Sequence, residues 1–308
     1  MQYGANLPTG AIAGEQHSLE RLLTFVETAE ELGYSALGIP DHLVYPMIDP
    51  LTAAAAVLPK IQRMELVTSV VLAVVRGPVA TAKALTALDI LSGGRVTAGI
   101  GPGSSPVDYL AVGIPWEERW KRVDECMQAM RAMLSPGAEP FVGEFYTTEG
   151  FELLPVPPRE NGIPLWYGSW GSDAGLRRVV GYADGWLASA SHTDPTTFGE
   201  AWKRIEQGLE EAGRDASQFP NSISTMYLRI TDSEAEAERA LERVAVSAHQ
   251  PADSLRQTLA IGPPEHCAAV LNAYAEAGAQ RVFVHPVDEP LEQIRLFMEN
   301  VVPLVAVT

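Results

Sequence analysis

The chain has 308 residues, with 22 Lys and Arg against 39 Asp and Glu, a formal charge of −17 at pH 7. A surface this acidic repels polyanions and excludes general nucleic-acid binding, so an anionic ligand must be met by a local exception such as the unpaired N–H groups of a helix N-terminus. Charged residues at 20% and hydrophobic residues at 46% exclude a disordered chain, and a closed α/β barrel routinely uses this length as one domain, which is the expectation for residues 1–308.

Strand-like and helix-like patterns alternate from end to end. Residues 2–7 read as a strand, and 18–33 as a helix with Leu19, Leu22, Leu23, Val26 and Ala29 on one side, stopped by Gly33. Tyr34 to Pro40 is the second strand, followed by an alanine-rich helix over 51–59. The third strand spans Leu66 to Val75, its helix runs from about Pro78 to Leu91, and Gly93-Gly94 turns the chain into a fourth strand, Val96 to Gly101. A helix over about 116–134 leads into residues 135–160, where proline, glycine and a possible hairpin around Phe141 to Phe151 interrupt the rhythm as an insertion. The fifth strand is Pro164 to Gly168, the sixth Gly185 to Ser189 with a helix over 195–213, and the seventh Ser222 to Ile230 with helices between Ser233 and Ala260. A helix from Pro264 to Ala277, an eighth strand at Arg281 to His285 and a helix to about Asn300 complete the count. Eight βα units in order point to a (β/α)8 barrel; the alternative, an open doubly wound sheet, lacks its dinucleotide turn in Asn6-Leu7-Pro8-Thr9-Gly10.

The apolar runs are strand length and broken by polar residues or proline, so no membrane span is expected. Met1-Gln2-Tyr3-Gly4 has neither a basic flank nor a long apolar stretch, which makes the cytoplasm the expected location. Cys126 and Cys267 fall in helical patterns far apart and read as buried thiols. No HxH, HExxH or Cys/His cluster accompanies the histidines, so no metal site is expected.

In such a barrel the chemistry sits at the C-terminal ends of the strands. Asp41 and His42 follow the second strand, Ser69 and Val70 lie within the third, and Gly101-Pro102-Gly103-Ser104-Ser105 follows the fourth. Gly168-Ser169-Trp170-Gly171-Ser172 follows the fifth, Ser189, Ser191 and His192 the sixth, and His285-Pro286 the eighth. Histidine titrates near neutrality, and a neighbouring carboxylate can hold an imidazole or anchor a cofactor ring, so Asp41-His42 suits proton or hydride chemistry; a loop histidine bonded to a carbonyl is the plainer alternative. Gly168 to Gly175 leads straight into a helix and offers N–H groups and hydroxyls to a phosphate, although a serine-capped turn would look the same; a P-loop is excluded because no lysine follows the glycines.

Several stretches in order resemble the luciferase-like monooxygenase superfamily and its flavin or deazaflavin oxidoreductases. They are Leu32-Gly33-Tyr34 through Asp41-His42, Ala87 to Arg95 running into Gly99-Ile100-Gly101-Pro102-Gly103, Gly113 to Arg119, Ile163 to Gly168, and Tyr182-Ala183-Asp184-Gly185-Trp186. The resemblance implies a dimeric barrel with the cofactor ring over the strand ends and its phosphate on the loop after the fifth strand. Gly168, Gly171, Ser172, Ala174 and Gly175 would serve the phosphate, with Ser169 and Trp170 beside it. Asp41 would touch the ring, His42 would be the proton donor or acceptor, and Ser69-Val70 matches a non-proline cis peptide behind the ring in the F420-dependent branch. Sugar-phosphate dehydrogenases of that branch carry a glutamate acid where this chain has Ser104, which leaves Gly103 and Ser104 as cofactor or substrate support. Arg177 and Arg178 would then meet an anionic tail, with exposed helix arginines as the plainer alternative. The reading implied is a coenzyme F420 oxidoreductase acting on a small organic substrate as a homodimer, with an FMN monooxygenase and a non-catalytic flavin-binding barrel as alternatives. Trp116, Trp170, Tyr45, Phe141 and Tyr146 would line the pocket if the loops fold over the mouth.

Overall fold

A computed structural model describes residues 1–10 and 17–306. In chain order it contains β1 (Gln2–Asn6), α1 (Leu19–Glu31), β2 (Ala36–Ile39), α2 (Pro50–Val57), β3 (Glu65–Thr68), α3 (Ala73–Arg76), α4 (Pro78–Ser92), β4 (Val96–Ile100), α5 (Pro106–Ala111) and α6 (Arg119–Leu134). The second half supplies β5 (Leu165–Gly168), α7 (Asp173–Tyr182), β6 (Gly185–Ser189), α8 (Pro195–Glu211), β7 (Asn221–Ile230), α9 (Glu234–Ala248), α10 (Ala252–Arg256), β8 (Ala260–Gly262), α11 (Pro264–Glu276), β9 (Arg281–Pro286) and α12 (Pro290–Leu296). Strands β1 to β7 and β9 pair in parallel and close on themselves through β6–β7, β7–β9 and β9–β1, which makes a (β/α)8 barrel.

Local chemistry explains the helix boundaries. Ser18 caps α1 by accepting from the Arg21 N–H, and Leu22, Phe25, Val26 and Ala29 form its buried stripe. Asp194 caps α8, with Pro195 at the first helical position where its missing N–H is harmless. Helix α4 ends on Gly93, held in the left-handed region at φ 71°. Cys126 in α6 and Cys267 in α11 are buried free thiols. Among the described residues, no helix is long and apolar enough to cross a membrane.

Two expectations need correction. The third strand stops at Thr68 rather than Val75: the regular ladder ends there, one isolated bridge from Val71 to Ile100 follows, and the chain then forms α3 over Ala73–Arg76. The Asp41 carboxylate accepts the Leu72 N–H at 3.0 Å just ahead of that helix, an interaction across 31 residues that an apolar run cannot reveal. A ninth strand, β8, was also missed; it has three residues and pairs only with the far end of β7, outside the closed barrel. The insertion appears as irregular chain over 135–164 with one antiparallel bridge, Val142 to Thr147, where the hairpin was expected.

Alternate strand residues point inward and stack in layers. The middle layer is apolar, with Ala36, Val67, Trp166, Leu187 and Phe283 packed together. Toward the N-terminal ends of the strands, Arg281 donates to Glu65 at 2.7 Å and the Thr97 hydroxyl donates to the same carboxylate. Toward the C-terminal ends the inward side chains become polar again, with Asn6, Ser69 and His285 in mutual reach. The floor of the mouth therefore rests on a dry layer.

That layer leaves no room for added atoms at Gly99. A Cβ there would lie 1.9 Å from the Thr68 carbonyl oxygen and 2.4 Å from Leu187 Cδ1. Gly99→Ala is expected to destabilise the protein by about 1–3 kcal/mol, the usual cost of overpacking a core, read as a lower urea midpoint at unchanged slope.

Candidate active site at the barrel mouth

The loop after β2 is fixed from two sides. Asp41 faces inward to Arg76, whose Nε and Nη2 each lie 2.7 Å from its two oxygens, and Arg76 also reaches Asp49, the cap residue of α2, at 2.7 Å. The hydrogen bonds it donates to Asp41 hold the Arg76 guanidinium firmly in its charged form. With the Leu72 N–H as well, every Asp41 oxygen is engaged, and its side chain is only 1% exposed. A ring contact through this carboxylate, as the resemblance implied, does not fit that placement; Asp41 clamps the loop to α2 and α3 instead.

His42, the next residue, is turned outward and is 31% exposed. Its Nδ1 lies 2.8 Å from Asp108 Oδ2, and Asp108 Oδ1 accepts the N–H groups of Leu43 and Val44 at 2.9 and 3.0 Å. A buried carboxylate that already accepts two N–H groups makes Nδ1 the protonated nitrogen and leaves Nε2 with the free lone pair. Tyr45 lies against the ring at a centroid distance of 4.2 Å. Asp108 sits on α5, one helical turn beyond Ser104, so the loop after β4 does carry an acid, placed behind the histidine. Ser104 itself is exposed at the rim, and Gly103, at φ 75°, lies so close to Leu72 that a Cβ would come within 2.8 Å of Cδ2.

The Ser69–Val70 peptide is cis. Val70 fills a notch made by glycines: a Cβ at Gly101 or Gly168 would come within 2.8 or 2.7 Å of its methyl groups. Ser69 donates to Asn6 Oδ1 at 3.2 Å. After β5, Ser169 Oγ accepts the Gly171 N–H at 3.3 Å and Ser172 Oγ accepts the Gly175 N–H at 3.2 Å. Gly175 has no space for a side chain, since a Cβ would lie 2.1 Å from Ser169 Oγ, and Gly171 needs its φ of 91°. The turn thus presents the first N–H groups of α7, those of Asp173 and Ala174, to solvent. Arg178 does not reach this loop; it is bound to Asp124 at 2.5 and 3.0 Å, while Arg177 is exposed.

Across the mouth, Trp170 stacks on His192 at 3.8 Å with 6° between planes. Ser189 Oγ lies 2.7 Å from Thr225 Oγ1 and 3.0 Å from Ser191 Oγ, and Ser191 reaches His192 Nδ1 at 3.0 Å. Thr225 has φ 52°, an unfavourable conformation for a β-branched residue, and sits at the irregularity in the β7–β9 register. His285 is the remaining strand-end histidine: Asn6 Nδ2 lies 3.3 Å from its Nδ1, and burial pushes its pKa down to about 4. Of the five aromatic residues expected around the mouth, Tyr45 and Trp170 are exposed there. Trp116 packs edge-on against Tyr109, and Phe141 and Tyr146 pack against the core.

Comparison with known proteins agrees with the fold. Residues 1–253 match the luciferase-like monooxygenase family. The chain belongs to that family. A curated relative, an uncharacterized protein of Mycobacterium tuberculosis, is 30% identical over 62% of this chain and 72% of its own length. An F420-dependent secondary alcohol dehydrogenase, solved with an F420–acetone adduct, superposes with a TM-score of 0.83 at 20% identity over 99% of both chains. A monooxygenase of Streptomyces bottropensis gives 0.81 at 22% identity, over 98% of this chain and 99% of its own. In this luciferase-like chain the matched residues include Asn6, His42, Val70, Asp108 and the 168–175 loop, and stop short of His285.

The His42–Asp108 pair has a direct spectroscopic consequence. Asp108→Asn is expected to let neutral His42 sample both tautomers, because an amide can donate to Nδ1 as well as accept from it. Nitrogen-15 NMR of histidine-labelled protein should show a single Nδ1–H tautomer in the parent and exchange-averaged ring nitrogens in the variant.

Proposed function

We propose that this protein is an F420-dependent oxidoreductase, which moves a hydride between the deazaflavin and a small organic substrate while His42 handles the proton. The observation that carries the reading is Val70, seated over Gly101 and Gly168 between the His42–Asp108 pair on one side and the Gly168–Gly175 turn on the other. A flat apolar support, an imidazole and an anion-binding helix start are what a phosphate-bearing ring cofactor requires. The likeness to the F420-dependent alcohol dehydrogenase supports this choice.

In this reading Ser69, Val70, Gly103 and Ser104 border the ring, and Ser169, Trp170, Gly171, Ser172, Ala174 and Gly175 hold the phosphate end. Asp41 contributes through its backbone and through the clamp it forms with Arg76. The deazaflavin, when bound, supplies two-electron hydride chemistry. His42 takes up or releases the substrate proton at Nε2, and Asp108 stabilises the imidazolium that results, as a carboxylate at 2.8 Å does best where water is excluded. Tyr45 and Trp170, exposed on either side, are placed to cover a bound substrate.

The second reading is an FMN-dependent monooxygenase, favoured by the near-equal superposition on the Streptomyces bottropensis enzyme. Fluorescence titration separates the two: micromolar binding of F420 with much weaker FMN binding is expected, and the reverse would overturn the first reading. His42→Ala should lower turnover about 100-fold or more while leaving cofactor affinity within about twofold, since general acid–base catalysis contributes on that scale; an unchanged rate would instead favour a barrel that binds flavin without catalysis.

We also propose a homodimer, as the resemblance implies. Leu91 of α4 and Val107 and Leu110 of α5 are 68%, 55% and 77% exposed, and a second copy would take these apolar side chains out of water. Light scattering is expected to give twice the chain mass, and Leu91→Glu combined with Leu110→Glu is expected to halve it.

A further inference from the structure

The polar floor of the mouth contains a second imidazole that the proton chemistry of His42 does not use. Asn6, at the end of β1, is 2% exposed, and both ends of its amide are engaged: Oδ1 accepts from the Ser69 hydroxyl at 3.2 Å, and Nδ2 points to His285 Nδ1 at 3.3 Å. An amide nitrogen only donates, so His285 Nδ1 accepts and its proton resides on Nε2. Among the described residues Nε2 has no protein partner, and it is not a sealed orphan, because the ring keeps partial contact with solvent. Tyr227 packs against the ring at 5.0 Å and limits its rotation.

The neighbouring strands add hydroxyls. Ser189 at the end of β6 contacts Ser191, just beyond it, at 3.0 Å and Thr225, at the irregularity within β7, at 2.7 Å, with Thr225 held in its unfavourable backbone conformation. Arg76 and Arg178, which follow β3 and β5, are locked to Asp41, Asp49 and Asp124. The donors turned toward the floor are therefore an imidazole N–H, an amide and hydroxyls.

Resting on the reading above, we propose that this floor recognises the oxygen of an uncharged ketone or alcohol, with His285 donating its Nε2–H to that oxygen and Asn6 as the positioning residue that sets the donor tautomer. His285 is a poor proton source, since its neutral ring gives up a proton only at very high pH. It orients the oxygen, and His42 supplies or takes the proton. Among the described residues, the side chains named in this floor include no lysine or arginine to meet a carboxylate or phosphate substrate, and the overall charge of −17 would oppose its approach.

The test uses nitrogen-15 histidine-labelled protein, both cofactor-free and loaded with whichever of F420 and FMN binds, with cyclohexanone as probe and cyclohexanecarboxylate as its charged counterpart. The His285 signal, assigned from its loss in His285→Gln, is expected to show the Nε2–H neutral tautomer from pH 8 to pH 5 and to shift on adding cyclohexanone. Asn6→Ala should mix the two tautomers. Affinity for cyclohexanone, measured by the same titration through the other histidines, should fall about fivefold to tenfold in His285→Phe and less in His285→Gln, which keeps a donor; that range matches the loss of one neutral hydrogen bond. Three results would overturn the proposal: an Nδ1–H tautomer in the parent, a His285 signal moved by cofactor and not by ketone, or equal affinity for the carboxylate. If neither cofactor binds but cyclohexanone still shifts His285 in the free protein, the cofactor reading fails while the oxygen site stands.

Discussion

The buried ion pair between Asp41 and Arg76 is the constraint on which the working face depends. It joins the end of β2 to the helix that follows β3 and, through Asp49, to the start of α2, so both ends of the loop after β2 and the helix after β3 share one anchor. A carboxylate and a guanidinium removed from water are stable only when their remaining hydrogen-bonding capacity is filled, and here the Leu72 N–H and Asp49 fill it. The adjacent His42 inherits a fixed position from this clamp. Nothing in the pair Asp41-His42 as written shows that the two side chains face opposite ways and do different work.

Position and chemistry are likewise divided around the glycines. Gly99, Gly101, Gly168 and Gly175 matter for the space they leave: Thr68 and Leu187 press on the first, Val70 covers the next two, and the Ser169 hydroxyl occupies the fourth. Those omissions let a hydrophobic side chain lie over the strand ends and let a serine-rich turn open toward solvent. The mouth is shaped by missing methyl groups as much as by the polar residues around it.

The barrel, the strand-end histidines and the 168–175 turn were legible because each rests on short-range pattern: alternating periodicities, a residue at a strand end, glycines and serines at a helix start. What was not legible depends on contacts across many residues. Asp108 has no neighbour in sequence that marks it as a histidine's partner, and only the fold brings it behind His42 across 66 positions. The end of β3 was misread because Val70 to Val75 is as apolar as a strand, while the Leu72 N–H at the start of α3 donates to Asp41, 31 positions away. Asn6 is a single polar residue at the edge of the first strand, and Thr225 carries no local signal of its backbone conformation. Three of the five aromatic residues went to packing, for which their sequence positions are equally suited.

Asn6 and His285 are neighbours in space but 279 residues apart in the chain. Strand β1 is made before the intervening strands and β9 after them, so a growing chain holds half of this contact exposed until the barrel closes. The interior of an unclosed barrel would present apolar residues such as Trp166 and Leu187 to the cell without a working site to show for it. Synthesis of β9, closure of the sheet and assembly of the polar floor are thus one event, and a chain shortened before β9 would lose the floor and the barrel together.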